Sequence, residues 1–178
     1  MESPTERNAS DEDMLVDRRF RLPRVFSNRE LRKFAGLFEG DVVNVSAGDD
    51  RDKEGRTYKE YFVNASSYTI TNWAGNAFRG YTNAEGEISL DLEQELPIAL
   101  MRRFDVVFNH TTLEHIRHSE AAFSNLCRMS RDVLIVVVPF AQIEHETPGY
   151  HDYWRFTPRL LRERSEERRV GKECRSRW

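Results

Sequence analysis

The stretch FDVVFNHTTLEHI, residues 104–116, decides the fold of this chain. It opens with FDVVFN, in which four of six residues are apolar, as is typical of a strand buried inside a sheet. A second apolar run, DVLIVVVP at residues 132–139, follows after a predicted helix. Two buried strands separated by a helix indicate a βαβ unit, so the sequence predicts a parallel sheet of the α/β class.

Three more strands are predicted upstream of this unit. Residues 41–45 are a short apolar run that ends in the turn SAGDD at residues 46–50. Residues 67–73 are rich in β-branched and aromatic side chains, and residues 87–92 alternate between polar and apolar ones. Five strands alternating with helices predict a doubly wound, mostly parallel sheet.

Three helices are predicted around the sheet. One covers residues 27–39, and another runs from residue 57 through residue 65; each begins with Ser or Thr followed three residues later by Glu, a capping box. The third covers residues 119–129. Its apolar face consists of Ala122, Phe123, Leu126 and Met129.

The composition fits one domain. A chain of 178 residues with 39% hydrophobic and 11% aromatic residues can build one core and leaves little room for a second. No stretch approaches the roughly 18 to 20 apolar residues of a membrane span, and no secretory signal is visible, so the sequence predicts a cytoplasmic protein. Residues 1–20, which are mostly polar and acidic, are predicted to be disordered.

The last fifteen residues, RSEERRVGKECRSRW at residues 164–178, stand apart as a basic run without apolar periodicity. One reading frame of a common short-read sequencing adapter encodes residues 164–174 without a mismatch, so we interpret the segment as a non-native tail. The alternative is a natural basic extension that binds nucleic acid. Without the tail the chain has 21 basic and 27 acidic residues, a net charge of −6, which argues against a nucleic-acid partner.

Ligands of doubly wound sheets bind beyond the carboxyl ends of the strands, at the point where the strand order reverses. The residues at the predicted strand ends are therefore the candidates for a binding site. They are Ser46, Ala47, Gly48, Asp49, Asn72, Trp73, Asp91, Leu92, Asn109, His110, Pro139 and Phe140.

The opening stretch resembles class I S-adenosylmethionine-dependent methyltransferases, which commonly carry an FDvV strand followed by a Leu-Glu-His-Ile segment. Residues 88–98 (ISLDLEQELPI) resemble the strand whose acidic end lies beside the cofactor adenine. Residues 151–158 (HDYWRFTP) resemble a block of methyltransferase type 11-like proteins associated with polysaccharide biosynthesis. The resemblance covers residues 25–163. It implies a Rossmann-like domain of seven strands, here C-terminally truncated after five, with the strand at residues 132–139 near an uncovered edge.

The resemblance also implies S-adenosyl-L-methionine as cofactor. It would place Ser46 and Gly48 near the methionine moiety, Asp91 and Leu92 near the adenine, and Asn109 close to the reacting centre. A small molecule or a saccharide would be the methyl acceptor.

The chain departs from the family pattern at two strand ends. The first strand usually ends in an acidic residue and a Gly-x-Gly-x-Gly turn, whereas this chain has Asn44 and the single glycine Gly48, with Asp50 in place of the last glycine. The second strand usually ends in an acidic residue that binds the ribose hydroxyls; Asn72 stands nearest to that position. These departures favour an alternative, a catalytically silent methyltransferase-like binding or scaffold module.

Methyl transfer needs a side chain that orients the acceptor or removes its proton. His110 is the first candidate, followed by His115 and His145. For His115, a hydrogen bond to the backbone beside the fourth strand is the competing interpretation. Residues 152–155 could line the acceptor pocket, or the aromatic residues of this block could only pack before the next helix.

No metal site is predicted. The sequence DRDKEG at residues 50–55 matches the start of a calcium loop, but Tyr61 stands where the twelfth position needs a glutamate. Four other potential ligands follow no zinc-site spacing. They are His110, His115, His118 and Cys127.

Overall fold

A computed structural model of the chain describes residues 22–75, 80–146 and 151–170, with side chains through residue 166. The predicted disorder of residues 1–20 and the last eight residues of the predicted tail lie outside the described residues. Within them, no helix is long and apolar enough to cross a membrane.

The described residues form one five-stranded sheet in which every neighbouring pair of strands is parallel. The strand order is β3-β2-β1-β4-β5. The direction of winding reverses between β1 and β4, which confirms the predicted doubly wound sheet. The strands are β1 (Gly40–Val45), β2 (Ala65–Asn72), β3 (Glu87–Ser89), β4 (Phe104–His110) and β5 (Ser130–Val137).

All five predicted strands are present, but two differ from the prediction. β3 has only three residues and not the predicted six. β5 is an edge strand within the described residues, and its apolar residues 134–137 are half-buried. The fully buried strand that the apolar run predicts is therefore only partly observed. β5 has a neighbouring strand on one side only, and its residues 134–137 remain partly exposed.

Three α-helices are described: α1 (Leu22–Arg32), α2 (Ser119–Met129) and α3 (Pro158–Val170). The helix predicted at residues 119–129 is confirmed, and its four apolar residues are buried. Short 3₁₀ turns connect the other elements. They are Ala35–Leu37, Tyr58–Tyr61, Ile98–Leu100 and Leu113–His115.

The predicted helix at residues 27–39 is wrong in its bounds. α1 covers Leu22–Arg32, so Ser27 lies inside the helix, where its hydroxyl donates to the carbonyl of Arg24 at 2.9 Å. A helical serine bonded in this way satisfies its own hydroxyl and caps nothing. Gly40 does not end the helix but begins β1, with a φ of 83°.

The capping box of Thr57 and Glu60 is confirmed, but the helix it opens is a single 3₁₀ turn that ends at Tyr61. β2 begins at Ala65, so the chain has too few residues left for a longer helix. The ring of Tyr61 is buried there, and burial, followed by its hydrogen bond to Asp52, raises its pKa above the usual value, which keeps the phenol neutral.

The core consists of two clusters, one on each face of the sheet. Alternate residues of β1 and β4 point to opposite faces, as strand geometry requires. One face carries Val42, Val106 and Phe108 beneath α1 and the 3₁₀ turn at Tyr58–Tyr61. The other face carries Val43, Val45 and Val107 beneath α2 and the loop after β3. Both faces are thus covered, and the carboxyl ends of the central strands remain open.

Candidate functional site

A cleft of about 870 Å³ lies at the carboxyl ends of β1, β2 and β4. This is the switch point of the sheet, and the volume lies within the roughly 300–1,000 Å³ typical of small-molecule pockets. Ten of the twelve residues predicted for cofactor binding or catalysis line it. They are Ser46, Ala47, Gly48, Asp49, Asn72, Trp73, Asp91, Leu92, His110 and His115.

Four residues predicted for this site do not line the cleft: Asn109, His145, Pro139 and Phe140. Asn109 is fully buried, and its amide nitrogen donates to the carbonyl of Val45 at 2.9 Å. This bond ties β4 to β1, so the expectation that Asn109 lies close to the reacting centre is corrected. His145 stacks edge-on against His115, with ring centroids 5.0 Å apart, and belongs to a group at the rim of the cleft.

The turn after β1 has the backbone of a glycine-rich loop although it contains one glycine. Ser46, Gly48 and Asp50 have φ values of 59°, 60° and 58°, all in the left-handed region that glycine adopts most readily. These are the three positions of the Gly-x-Gly-x-Gly pattern. A Cβ placed on Gly48 would meet nothing within 4 Å, so the cleft is open at this point.

Hydrogen bonds to Asp50 hold this left-handed turn in place. The carboxylate of Asp50 accepts from the Asn44 amide at 2.8 Å, the Tyr68 hydroxyl at 2.7 Å and the Lys59 backbone N–H at 3.1 Å. Burial, followed by the neighbouring Asp50, raises the pKa of Tyr68, so its hydroxyl stays protonated and donates. Three bonds to one carboxylate offset the roughly 1–2 kcal/mol that a non-glycine residue costs in this conformation.

Asn72 supports the same turn from β2. Its side-chain oxygen accepts from the Gly48 N–H at 2.7 Å, and its amide nitrogen donates to the Gly48 carbonyl at 3.0 Å. The same nitrogen also donates to Glu87 at 2.6 Å. Asn72 lines the cleft, but its polar atoms are engaged in holding Gly48, which differs from the expected contact with ribose hydroxyls.

The opposite wall of the cleft is flat and partly apolar. Trp73 is 49% exposed and presents an aromatic ring, while Leu92 is buried behind the surface. Asp91, which precedes Leu92 in the chain, also lines the cleft. One of its carboxylate oxygens accepts from the backbone N–H of Glu93 at 2.9 Å. An aromatic ring, an apolar floor and a carboxylate are the chemistry that an aromatic base with an exocyclic amine requires.

His110 has both ring nitrogens engaged by α1. Arg24 can only donate, so its contact of 2.5 Å makes Nδ1 of His110 an acceptor. Nε2 then carries the proton and donates to the Ser27 hydroxyl at 3.0 Å. Burial, followed by the charge of Arg24, lowers the pKa of His110 well below its usual value. In this arrangement the imidazole is neutral and positions Arg24; it is a weak proton acceptor.

Arg24 is a cleft residue that the sequence did not indicate. Besides His110, its guanidinium donates to the Thr111 hydroxyl at 2.8 Å and the Tyr58 hydroxyl at 3.2 Å. It precedes the predicted start of the first helix, and no local pattern marks a single arginine near the N-terminus as part of a site. Arg51, Lys53 and Arg117 also line the cleft and add positive charge.

The block at residues 151–158 meets both of its interpretations. Of the predicted residues 152–155, Tyr153 lines the cleft, and so does His151, which lies outside that predicted range. Trp154 instead donates from its indole nitrogen to the carbonyl of Ile116 at 2.9 Å, and Phe156 is buried in the core. Two residues of the block therefore contribute to the surface of the cleft and two hold the block in place.

The acidic loop at residues 50–55 is structural. One carboxylate oxygen of Asp52 accepts from the backbone N–H groups of Glu54 at 2.7 Å and Arg56 at 3.0 Å. The other accepts from the Tyr61 hydroxyl at 2.6 Å. Asp52 is fully buried, and its carboxylate oxygens are used to hold the loop.

The strand order and the position of the cleft define a Rossmann-like α/β domain. No protein-family model matches the chain, and no curated protein matches it. Ten chains of solved structures do match. One is a protein from Bacillus halodurans C-125 that is provisionally named a methyltransferase, with a TM-score of 0.53 and 15% sequence identity.

The match to the Bacillus halodurans protein covers 78% of this chain and 66% of that one. The chain thus spans just under two thirds of the length of its structural neighbour. At 15% identity the likeness shows the fold alone, which is the doubly wound α/β sheet that the sequence predicted.

Proposed function

We propose that this chain is a methyltransferase domain that binds S-adenosyl-L-methionine and transfers its methyl group to a small-molecule or saccharide acceptor. The observation that carries the proposal is the turn at residues 46–50. It keeps the three left-handed positions of a glycine-rich cofactor loop and faces open space at Gly48.

The residues around the cleft fit the parts of this cofactor. Ser46 and Gly48 present small side chains and backbone groups where the methionine moiety would lie, and Asp49 offers a carboxylate for its amino group. Asp91 and Leu92, with the ring of Trp73, suit the adenine. The bound cofactor supplies the activated methyl carbon, so the chain has only to bind, orient and exclude water.

The acceptor would enter from the side of His115, His151 and Tyr153, which line the other end of the cleft. Aromatic and polar side chains together suit a sugar or another hydroxylated compound. His110 contributes by fixing Arg24 beside the cleft, where the guanidinium can orient an acceptor oxygen or carboxylate. Burial lowers the pKa of His115 to about 4, so this ring is neutral at pH 7 and would orient the acceptor by a hydrogen bond.

A silent binding or scaffold module is the second candidate. The observation that favours it is at the end of β2, where Asn72 stands in place of the acidic residue that would bind the ribose. The amide of Asn72 is already hydrogen-bonded to Gly48 and Glu87. Such a module would keep the fold and the cleft without turning over a cofactor.

Calorimetric titration with S-adenosyl-L-methionine separates the two candidates. We expect one site, and we expect Gly48→Val to weaken binding by at least about tenfold, because the new side chain fills the open space of the cleft. Gly55→Val is the matched control: Gly55 also has a positive φ, of 101°, and open space around it, but it does not line the cleft. If the folded wild-type protein has no measurable affinity for S-adenosyl-L-methionine, the methyltransferase proposal is wrong and the silent module is the remaining candidate.

A further inference from the structure

A group of metal-ligating side chains lies at the rim of the cleft. Glu114 and His115 belong to the 3₁₀ turn after β4, and His145 comes from the loop after β5. Each offers one ligand atom, and these three atoms lie within 4.8 Å of one another. The group was not visible in the sequence because thirty residues separate His145 from His115.

Glu114 is the most unusual member of this group. It is 1% exposed, and neither of its carboxylate oxygens has a hydrogen-bond partner. Its oxygen Oε1 lies 3.7 Å from Nε2 of His115. A buried carboxylate without hydrogen bonds is costly unless a cation or a proton accompanies it.

His115 presents a lone pair toward this carboxylate. Its Nδ1 lies 2.5 Å from the backbone carbonyl of His151, and a carbonyl can only accept, so Nδ1 carries the proton. In the neutral ring the lone pair is then on Nε2, the atom nearest to Glu114. Oε1 of Glu114 and Nε2 of His115 thus face each other with their lone pairs, as the ligand atoms of a bound cation do.

His145 is oriented in the same manner. Its Nδ1 lies 3.1 Å from Oδ2 of Asp152, whose side chain is fully buried and also bonded to Arg155 at 2.6 and 2.7 Å. Donation from Nδ1 to the carboxylate leaves Nε2 as the ligand atom. In metal-binding proteins, a carboxylate that accepts from the other ring nitrogen of a histidine ligand commonly fixes the orientation of that ring.

We propose that Glu114, His115 and His145 bind one divalent transition-metal ion of the zinc type. Two imidazoles and one carboxylate are a ligand set that zinc accepts, whereas calcium and magnesium prefer oxygen ligands throughout. Three protein ligands also leave a coordination position for water or for a substrate oxygen. Because His115 lines the cleft, the ion would lie at the acceptor end of it.

The test uses the full-length chain after chelator treatment, titrated with Zn²⁺ in a calorimeter and with Co²⁺ in an absorption spectrometer. We expect one equivalent of each ion to bind, with the visible bands of low-coordinate Co²⁺. His145→Ala and Glu114→Gln should each weaken binding by at least about tenfold. His145 is only partly buried and Gln has the shape of Glu, so both variants should melt as cooperatively as the wild type.

His118→Ala and Cys174→Ser are the controls, since they remove another histidine and a thiol of the tail. They should bind both ions as the wild type does. Absence of stoichiometric binding to the wild type, or equal affinity in His145→Ala and Glu114→Gln, would overturn the proposal. Neither cofactor nor acceptor is present in this titration, so its outcome is independent of the proposed methyl transfer.

Discussion

At the scale of single residues, the cleft depends on side chains that hold the backbone where other proteins of this fold use glycine. Ser46 and Asp50 adopt left-handed conformations, and the second is stabilised by a buried carboxylate with three donors. The sequence showed that two glycines were missing, but it could not show that the backbone conformation is kept. That result depends on Tyr68 and Lys59, which are distant along the chain.

Asp50→Gly should therefore destabilise the protein although it relieves backbone strain. We expect the free energy of unfolding in urea to fall by about 2–4 kcal/mol, since the lost hydrogen bonds to a charged group outweigh a gain of about 1 kcal/mol. Lys53→Gly is the matched control, because Lys53 has a φ of 67° but an exposed side chain. It should change stability by less than about 1 kcal/mol; an equal loss in both variants would show that the Asp50 bonds are unimportant.

The buried neutral His110 predicts a pH dependence of stability. Its pKa is lowered in the folded state, so below the unfolded-state pKa of about 6.5 the unfolded chain binds a proton that the folded chain does not. The free energy of unfolding should fall as pH decreases below about 6.5, by up to about 1.4 kcal/mol per pH unit from this group.

His110→Gln isolates this contribution, because glutamine can accept from Arg24 and donate to Ser27 without titrating. In urea unfolding from pH 7.5 to pH 5, the wild type should lose more stability than the variant. Parallel curves for the two proteins would mean that His110 is accessible to protons in the folded state.

At the scale of elements, the strands were predicted well and the N-terminal helix was not. Buried strands have a strong periodic signal, and α2 carries a regular apolar face, so both could be read from the sequence. α1 has few buried residues, which are Asn28 and Leu31, and its position depends on Arg24 meeting the end of β4. Contacts of this kind between distant segments leave no local pattern.

Arg24→Met tests whether this contact holds α1 on the sheet. The variant keeps the apolar stem but loses the bonds to His110, Thr111 and Tyr58, so hydrogen–deuterium exchange of the α1 amides should accelerate by at least about tenfold. Arg29→Met removes only surface contacts within α1, an ion pair with Glu30 and a cation–π contact with Phe26, and should leave the exchange rates unchanged. Similar rates in all three proteins would mean that α1 is held by its apolar contacts alone.

At the scale of the whole molecule, the sheet brings strand ends from the first and second halves of the chain to one cleft. The sequence predicted this cleft and ten of the residues that line it, because parallel strands place their carboxyl ends at one edge. It missed the rim group of Glu114, His115 and His145, which forms only when the loop after β5 returns over β4. Spacing rules for metal sites describe ligands close in sequence and overlook such a group.

The tail interpretation also makes a prediction for the whole chain. Leu160 and Leu161 of α3 pack on the core, whereas Arg164 contributes an ion pair with the exposed Glu120. Ending the chain after residue 163 removes this ion pair of the largely buried Arg164, together with the buried Ser165, and should lower the free energy of unfolding by about 1 kcal/mol. Ending it after residue 157 should cost at least about 2 kcal/mol, since the two leucines are lost. A large loss from the first truncation would identify the tail as part of the fold.

The most direct test of the central claim, that the cleft at the switch point binds this cofactor, is a crystal structure of the chain with S-adenosyl-L-homocysteine. We predict that the amino acid part of the ligand contacts Ser46 and Gly48 and that its adenine lies against Asp91 and Leu92. Ligand density at another surface, or a cleft that stays without ligand at saturating concentration, would contradict the account.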